Sequence, residues 1–96
     1  MKKVFITRAY LYRLRNEVPF GPLFRMLSWP HKRVGNQLRF VCPVCGESQT
    51  SVNPATNLAR CFHCELNWNP IDFTIKATNC EFTQAIAQLE ELLPHP

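Results

Sequence analysis

Cys42 and Cys45, then Cys61 and Cys64, form two pairs, each closed by two intervening residues, with fifteen residues between the pairs. The pattern C-x2-C-x15-C-x2-C lies within the spacing of four-thiolate zinc sites. Two residues between thiolates let one tight backbone turn aim both sulfurs at a single metal. A second such turn, brought back by a hairpin, completes a tetrahedron with metal–sulfur distances near ~2.3 Å. Four thiolates leave no ligand position for water, so the expectation is one structural Zn2+. Iron held by the same thiolates, or a redox dithiol, is the competing use of this spacing.

The chain has 96 residues, enough for one small domain. A core of this size is marginal, and a metal or disulfide staple commonly supports it. Zinc supplies roughly 10–16 kcal/mol of apparent folding free energy in small finger peptides, so the cysteines are expected to be part of the fold. Disulfides belong to exported chains, and the N-terminus is not expected to act as an export signal. Its apolar stretch Val4–Ile6 is cut short by Arg8, Arg13 and Arg15. No apolar run approaches membrane-spanning length. The expectation is a cytoplasmic protein with reduced thiols and no membrane partner. Cys80, the fifth cysteine, reads as a small buried hydrophobe on a helical segment.

Charge is unevenly placed. Residues 1–39 carry Lys2, Lys3, Arg8, Arg13, Arg15, Arg25, Lys32, Arg33 and Arg39 against Glu17 alone, nine minus one, or +8. Residues 40–96 carry Arg60 and Lys76 against Glu47, Glu65, Asp72, Glu81, Glu90 and Glu91, two minus six, or −4. A basic half interleaved with aromatics suggests a polyanion partner; the acidic half does not.

Along the chain, residues 1–18 read as a basic and aromatic arm or short helix, and residues 19–96 as the body of the domain. Pro22 suits the first turn of a helix over Leu23–Leu27, which Ser28-Trp29-Pro30 ends. Val34-Gly35-Asn36-Gln37 reads as a turn. Strands are expected over Leu38–Cys42, Gln49–Asn53 and Leu58–Phe62, three to four in all. Gly46 suits the left-handed residue that lets a knuckle's amides face its sulfurs. Asn69 and Pro70 suit the start of a helix over Ile71–Ala77, which Asn79 interrupts. Phe82, Ala85, Ile86, Leu89, Leu92 and Leu93 then form an amphipathic stripe, read as core. The fold class is therefore α+β: a small antiparallel zinc ribbon with one helix before it and two after.

Phe40-Val-Cys-Pro-Val-Cys45, Thr50-Ser51-Val52, Arg60-Cys-Phe-His-Cys64, Ile71-Asp72-Phe73 and a helix opening Glu81-Phe82 and carrying Ala85-Ile86 follow in order. This run resembles the CHC2-type zinc-binding domain of bacterial and phage replicative DNA primases. The resemblance covers about residues 38–93. The knuckles are common to many ribbons; the segments beyond Cys64 make the likeness specific. The bacterial form usually has histidine as second ligand where this chain has Cys45, and phage relatives use four cysteines. The family's glycine-rich stretch after the second knuckle is replaced by Glu65-Leu66-Asn67-Trp68-Asn69, read as an altered nucleic-acid-facing loop. No polymerase domain lies within the 96 residues. The resemblance therefore implies a stand-alone, non-catalytic module acting with a separate primase-polymerase, helicase or replication initiator, of a kind often carried on mobile elements.

Arg39 and Arg60 sit beside the knuckles. Alternation puts Arg60 and Phe62 on one face and Arg39 and Val41 on another, with the relative facing of the two strands left open. The functional expectation is a basic, aromatic surface for single-stranded DNA, with Arg39, Arg60, Lys32, Arg33 and His63 at phosphates and Phe62 stacking on a base. Against it stand a solvated arginine and a buried phenylalanine. His63 lies within the second knuckle, but four thiolates already fill the metal's shell. Trp29 and Trp68 read as core before stacking platforms. Two other functions fit the pattern. One is a docking zinc module that recruits a helicase or polymerase without touching DNA. The other is a rubredoxin-like electron carrier, which gives the basic half no role.

Overall fold

The computed structural model describes residues 6–94; Lys2, Lys3 and His95 lie outside the described residues. Helices α1 (Arg8–Glu17) and α2 (Phe20–Met26) come first. They are followed by strands β1 (His31–Val34), β2 (Gln37–Phe40), β3 (Thr50–Asn53), β4 (Leu58–Cys61) and β5 (Leu66–Trp68), then helices α3 (Pro70–Thr78) and α4 (Phe82–Glu90). The architecture is α+β and antiparallel throughout, with a β1–β2 hairpin and a β3–β4–β5 sheet.

Local chemistry explains most boundaries. The Thr7 side chain accepts the Tyr10 N–H and starts α1, so a helix occupies residues 8–17. Leu14 and Val18 are fully buried, which makes α1 part of the single core. Asn57, itself left-handed at φ 54°, ties the β3–β4 turn to the end of that helix. Its amide donates to the Arg15 and Val18 carbonyls at 2.9 and 2.8 Å. Asn69 caps α3 by accepting the Asp72 N–H at 2.8 Å, and Asn79 ends it in the left-handed conformation. The Glu81 and Gln84 side chains close a capping box at the start of α4.

The two sheets are joined by a side chain. Thr50 Oγ1 accepts the Phe40 N–H at 2.8 Å and donates to the Phe40 carbonyl, doing for β2 and β3 what a backbone ladder would do. Thr50 is only 2% exposed, so both bonds are sheltered from water.

Phe73 is the centre of the core. Its ring meets Phe24 at 5.2 Å, Phe40 at 5.6 Å, Trp29 at 5.7 Å, Phe20 at 5.9 Å and Trp68 at 6.3 Å, each near edge-on. Edge-to-face pairs of this kind add about 0.5–1.5 kcal/mol each beyond the area they bury. Trp68 is buried; Trp29 is half-buried, with its indole N–H donating to the Val41 carbonyl at 2.7 Å. Both tryptophans therefore pack in or against the core.

Lys32 and Arg33 lie in strand β1, next to the turn expected at Val34–Gln37, where Gly35 at φ 59° lets the chain reverse tightly enough for β1 to pair with β2. Three sequence expectations need correction. Glu65–Asn69 is not a loop: residues 66–68 pair with β4, and Trp68 is drawn inward opposite Ala59. Phe82 is 44% exposed although it opens the α4 stripe. At the first turn of α4 it extends past the surface that Ala85, Ile86 and Leu89 cover. Cys80 is half-buried between α3 and α4 rather than on a helix.

Candidate metal centre and exposed sheet face

The first knuckle runs from the end of β2. Cys42 N–H donates to the Glu47 carbonyl at 2.9 Å, and Gly46 N–H returns to the Cys42 carbonyl at 3.0 Å. That turn points the Val44 and Cys45 amides at Cys42 Sγ, at 3.4 and 3.5 Å. Gly46 takes φ 75°, a conformation cheap for glycine. The second knuckle leaves β4 at Cys61, and Glu65 occupies the position equivalent to Gly46 at φ 58°. A side-chain-bearing residue there carries strain of about 1 kcal/mol or more. Sequence reasoning missed this role; the signal was its place immediately after the second C-x2-C.

The knuckles bring all four sulfurs to within 4.8 Å of one another. Cys42 and Cys64 Sγ are 3.6 Å apart, as are those of Cys45 and Cys61. Sulfurs ~2.3 Å from a shared tetrahedral metal stand ~3.8 Å apart, whereas a disulfide would hold them at ~2.0 Å. The geometry fits one zinc ion. Cys42 and Cys61 are buried and Cys45 and Cys64 half-buried, so the ligand shell is closed mainly by protein. Zn2+ in this site is structural and supplies no reactive position.

The thiols are electrostatically unlike. Burial first, and the surrounding sulfurs next, push Cys64 up to about 12. Cys45 is also raised: the Glu47 backbone pulls it down, but burial and the Cys42 and Cys61 thiols together outweigh it. At Cys61 burial is the largest single influence and works upward. Hydrogen bonds from the Cys64 backbone and the other thiols overcome it, and the group falls to about 7. Four sulfurs this close cannot all ionise without a cation among them.

Alternation along the strands divides the ribbon into two faces. Thr50, Cys61, Ala59 and Trp68 face the core, while Ser51, Arg60 and Asn67 are register partners on the other face. Phe62, 56% exposed, stands just past β4, with the Arg60 guanidinium 5.6 Å from its ring centroid. Arg39 joins them from β2. A groove of about 340 Å³ is lined by Gln37, Arg39, Gln49, Thr50 and Phe62. A second, of about 590 Å³, shares Gln37 and Phe62 and continues past Ser51, Arg60 and Asn67. Among the described residues, no aspartate or glutamate lines either groove. The sole salt bridge among the described residues is Arg13–Glu17 at 3.2 Å, far from this face.

The expected DNA-contacting residues therefore separate. Lys32 pairs in register with Arg39 and shares its face, while Arg39 shares a groove with Phe62, whose ring lies beside the Arg60 guanidinium. Arg33 pairs with Leu38 and lines a groove beside Phe20 and Glu17, on the other side of the hairpin. His63 is exposed on the second knuckle and is not among the clustered metal ligands. Gln37, Gln49, Ser51 and Asn67, which add hydrogen-bonding capacity to the grooves, had no sequence signal without the strand register.

Among the described residues, no helix is long and apolar enough to cross a membrane. A search of curated proteins finds no significant match. The family model of the CHC2 zinc finger matches residues 13–95, spanning α2, both knuckles and α3–α4 and entering partway along α1. With its four-cysteine site and ribbon fold, the chain belongs to the CHC2 zinc finger family, the primase-type zinc-binding domain.

Proposed function

We propose that the chain binds single-stranded DNA through the exposed ribbon face and assists primer synthesis or replication initiation, with catalysis supplied by a separate protein. The observation that carries this reading is the convergence of Arg39, Arg60 and exposed Phe62 along two continuous grooves without a neighbouring carboxylate. Unpaired guanidinium groups meet phosphates, and an exposed ring accepts a stacked base whatever its identity. Zinc acts at one remove: by joining the knuckles it fixes the positions of β2 and β4, which carry the two arginines. The four sulfurs give the site no open coordination position, so the chain is read as a non-catalytic component.

The test is binding to fluorescent single-stranded oligonucleotides over a salt series. Affinity should fall as salt rises, with a slope of about −0.7 for each phosphate contact. Arg39→Ala/Arg60→Ala should flatten that slope and weaken binding at every salt concentration. A wild-type protein that binds no oligonucleotide at low salt would overturn this reading and favour a docking module for a helicase or polymerase. A red, iron-bearing protein on purification would instead support the electron-carrier reading.

A further inference from the structure

Beside Arg39, at the open end of the β1–β2 hairpin, lies a cleft of about 220 Å³. Pro30, His31, Phe40 and Val41 line it, with Ser48 from the loop after the first knuckle. The remaining lining comes from Lys32 and Arg39. The volume falls below the ~300–1,000 Å³ of pockets for drug-sized ligands. It suits a single flat ring system.

The two cations are the informative part. Lys32 and Arg39 are register partners on antiparallel strands, so two positive groups stand opposite each other on one face. Like charges so placed repel, and among the described residues no carboxylate forms a salt bridge with either. Arg39 is further constrained, because its Nη2 donates to Gln37 Oε1 at 3.2 Å. Its Nε is shielded from water and has no acceptor among the described residues. A sheltered guanidinium N–H without an acceptor is costly, and that cost is removed when the side chain turns outward to meet an anionic oxygen. The cleft's own surface is also held ready. The His31 ring lies 5.4 Å from Phe24, and its Nδ1 bonds the Trp29 carbonyl at 2.6 Å. An anion site next to a small, mostly apolar cleft has the chemistry of one nucleotide.

We propose that this cleft is a single-nucleotide subsite. One base of the bound strand enters between Pro30, His31 and Val41, over the buried Phe40, while its phosphate spans Lys32 and Arg39. This inference rests on the single-strand binding proposed above and adds one position where the strand is read as well as held.

The experiment walks a single abasic site along an oligonucleotide and measures affinity by anisotropy, for the wild-type protein and for Ser48→Trp. Ser48 is exposed, and the indole fills the cleft while leaving both cations in place. In the wild type, one abasic position should weaken binding roughly 5- to 100-fold, the range for loss of one stacked base. Ser48→Trp should bind the intact strand that much more weakly, show no penalty at that position, and keep the wild-type salt slope. Lys32→Ala is the second variant. It should lower affinity for every strand and reduce the salt slope by about 1.

Abasic penalties that are equal along the strand, with Ser48→Trp binding as wild type does, would overturn the subsite and leave the sheet-face reading standing. Free deoxynucleoside triphosphate that abolishes the positional penalty would reassign the cleft to a free nucleotide, against the proposal. A wild type that binds no oligonucleotide would remove the sheet-face reading and the subsite together.

Discussion

On β2 to β4, Phe40, Thr50, Ala59 and Cys61 turn inward, while Arg39, Ser51, Arg60 and the neighbouring Phe62 turn outward. The inward set is saturated. The Phe40 ring packs edge-on against Phe73, Thr50 satisfies both polar groups of Phe40, and Cys61 belongs to the four-sulfur zinc site. The outward set is not: among the described residues two guanidinium groups have no carboxylate partner, and a large ring stands in water. The same backbone therefore carries a face complete in itself and a face with unused capacity. A folded chain gains nothing from the second arrangement, which is why binding is read from that side.

Both faces depend most strongly on the metal. Chelation, or Cys61→Ala, removes the joint between the knuckles, and a contribution on the order of 10–16 kcal/mol exceeds the stability of a domain this small. Loss of the cooperative thermal transition and of near-ultraviolet circular dichroism is the expected result. Acid should act in the same direction. With Cys64 raised to about 12, the metal-free protein holds that proton at neutral pH, and zinc must displace it. Zinc-dependent stability is therefore present at neutral pH and lost as pH falls and the thiolates regain protons. Calorimetry at pH 7 in two buffers of different ionisation enthalpy should register net proton release on zinc binding.

Phe73→Ala sharpens the inward half. Removing the ring at the centre of five aromatic neighbours should cost about 3–5 kcal/mol in denaturant unfolding. Smallest is Glu65→Gly at the second knuckle. Relief of the left-handed strain, partly offset by the flexibility of glycine in the unfolded chain, should stabilise the zinc-bound protein by up to about 1 kcal/mol. A loss of stability would show that the Glu65 side chain makes a contribution its exposure does not suggest.

Much of the inward face was legible in the sequence. The C-x2-C pairs specify their own geometry, and Asn69-Pro70 and Asn79 act locally, so their roles do not depend on distant partners. The outward face was harder to read. Whether Arg39 lies with Arg60 depends on how β2 sits against β3, and that is decided by Thr50 bonding to Phe40 across a sheet boundary. Arg33 illustrates the same limit: one step along β1 moves it to the opposite side from Lys32. Phe82 fell in the apolar stripe by period alone, yet burial depends on what lies across from it, and little does. The strand at Leu66–Trp68 was hidden because its pairing with β4 is tertiary, while its composition reads as a loop.

The most direct measurement pairs stability with binding in Arg39→Ala/Arg60→Ala. Both side chains are half-buried on the outward face and form no salt bridge among the described residues. The account predicts a thermal midpoint equivalent to no more than about 0.5 kcal/mol per site below wild type, with any gain coming from removal of the sheltered Arg39 Nε. It also predicts at least about ten-fold weaker binding to a single-stranded oligonucleotide, with a flatter salt slope. Unchanged affinity in a normally folded double variant would contradict it.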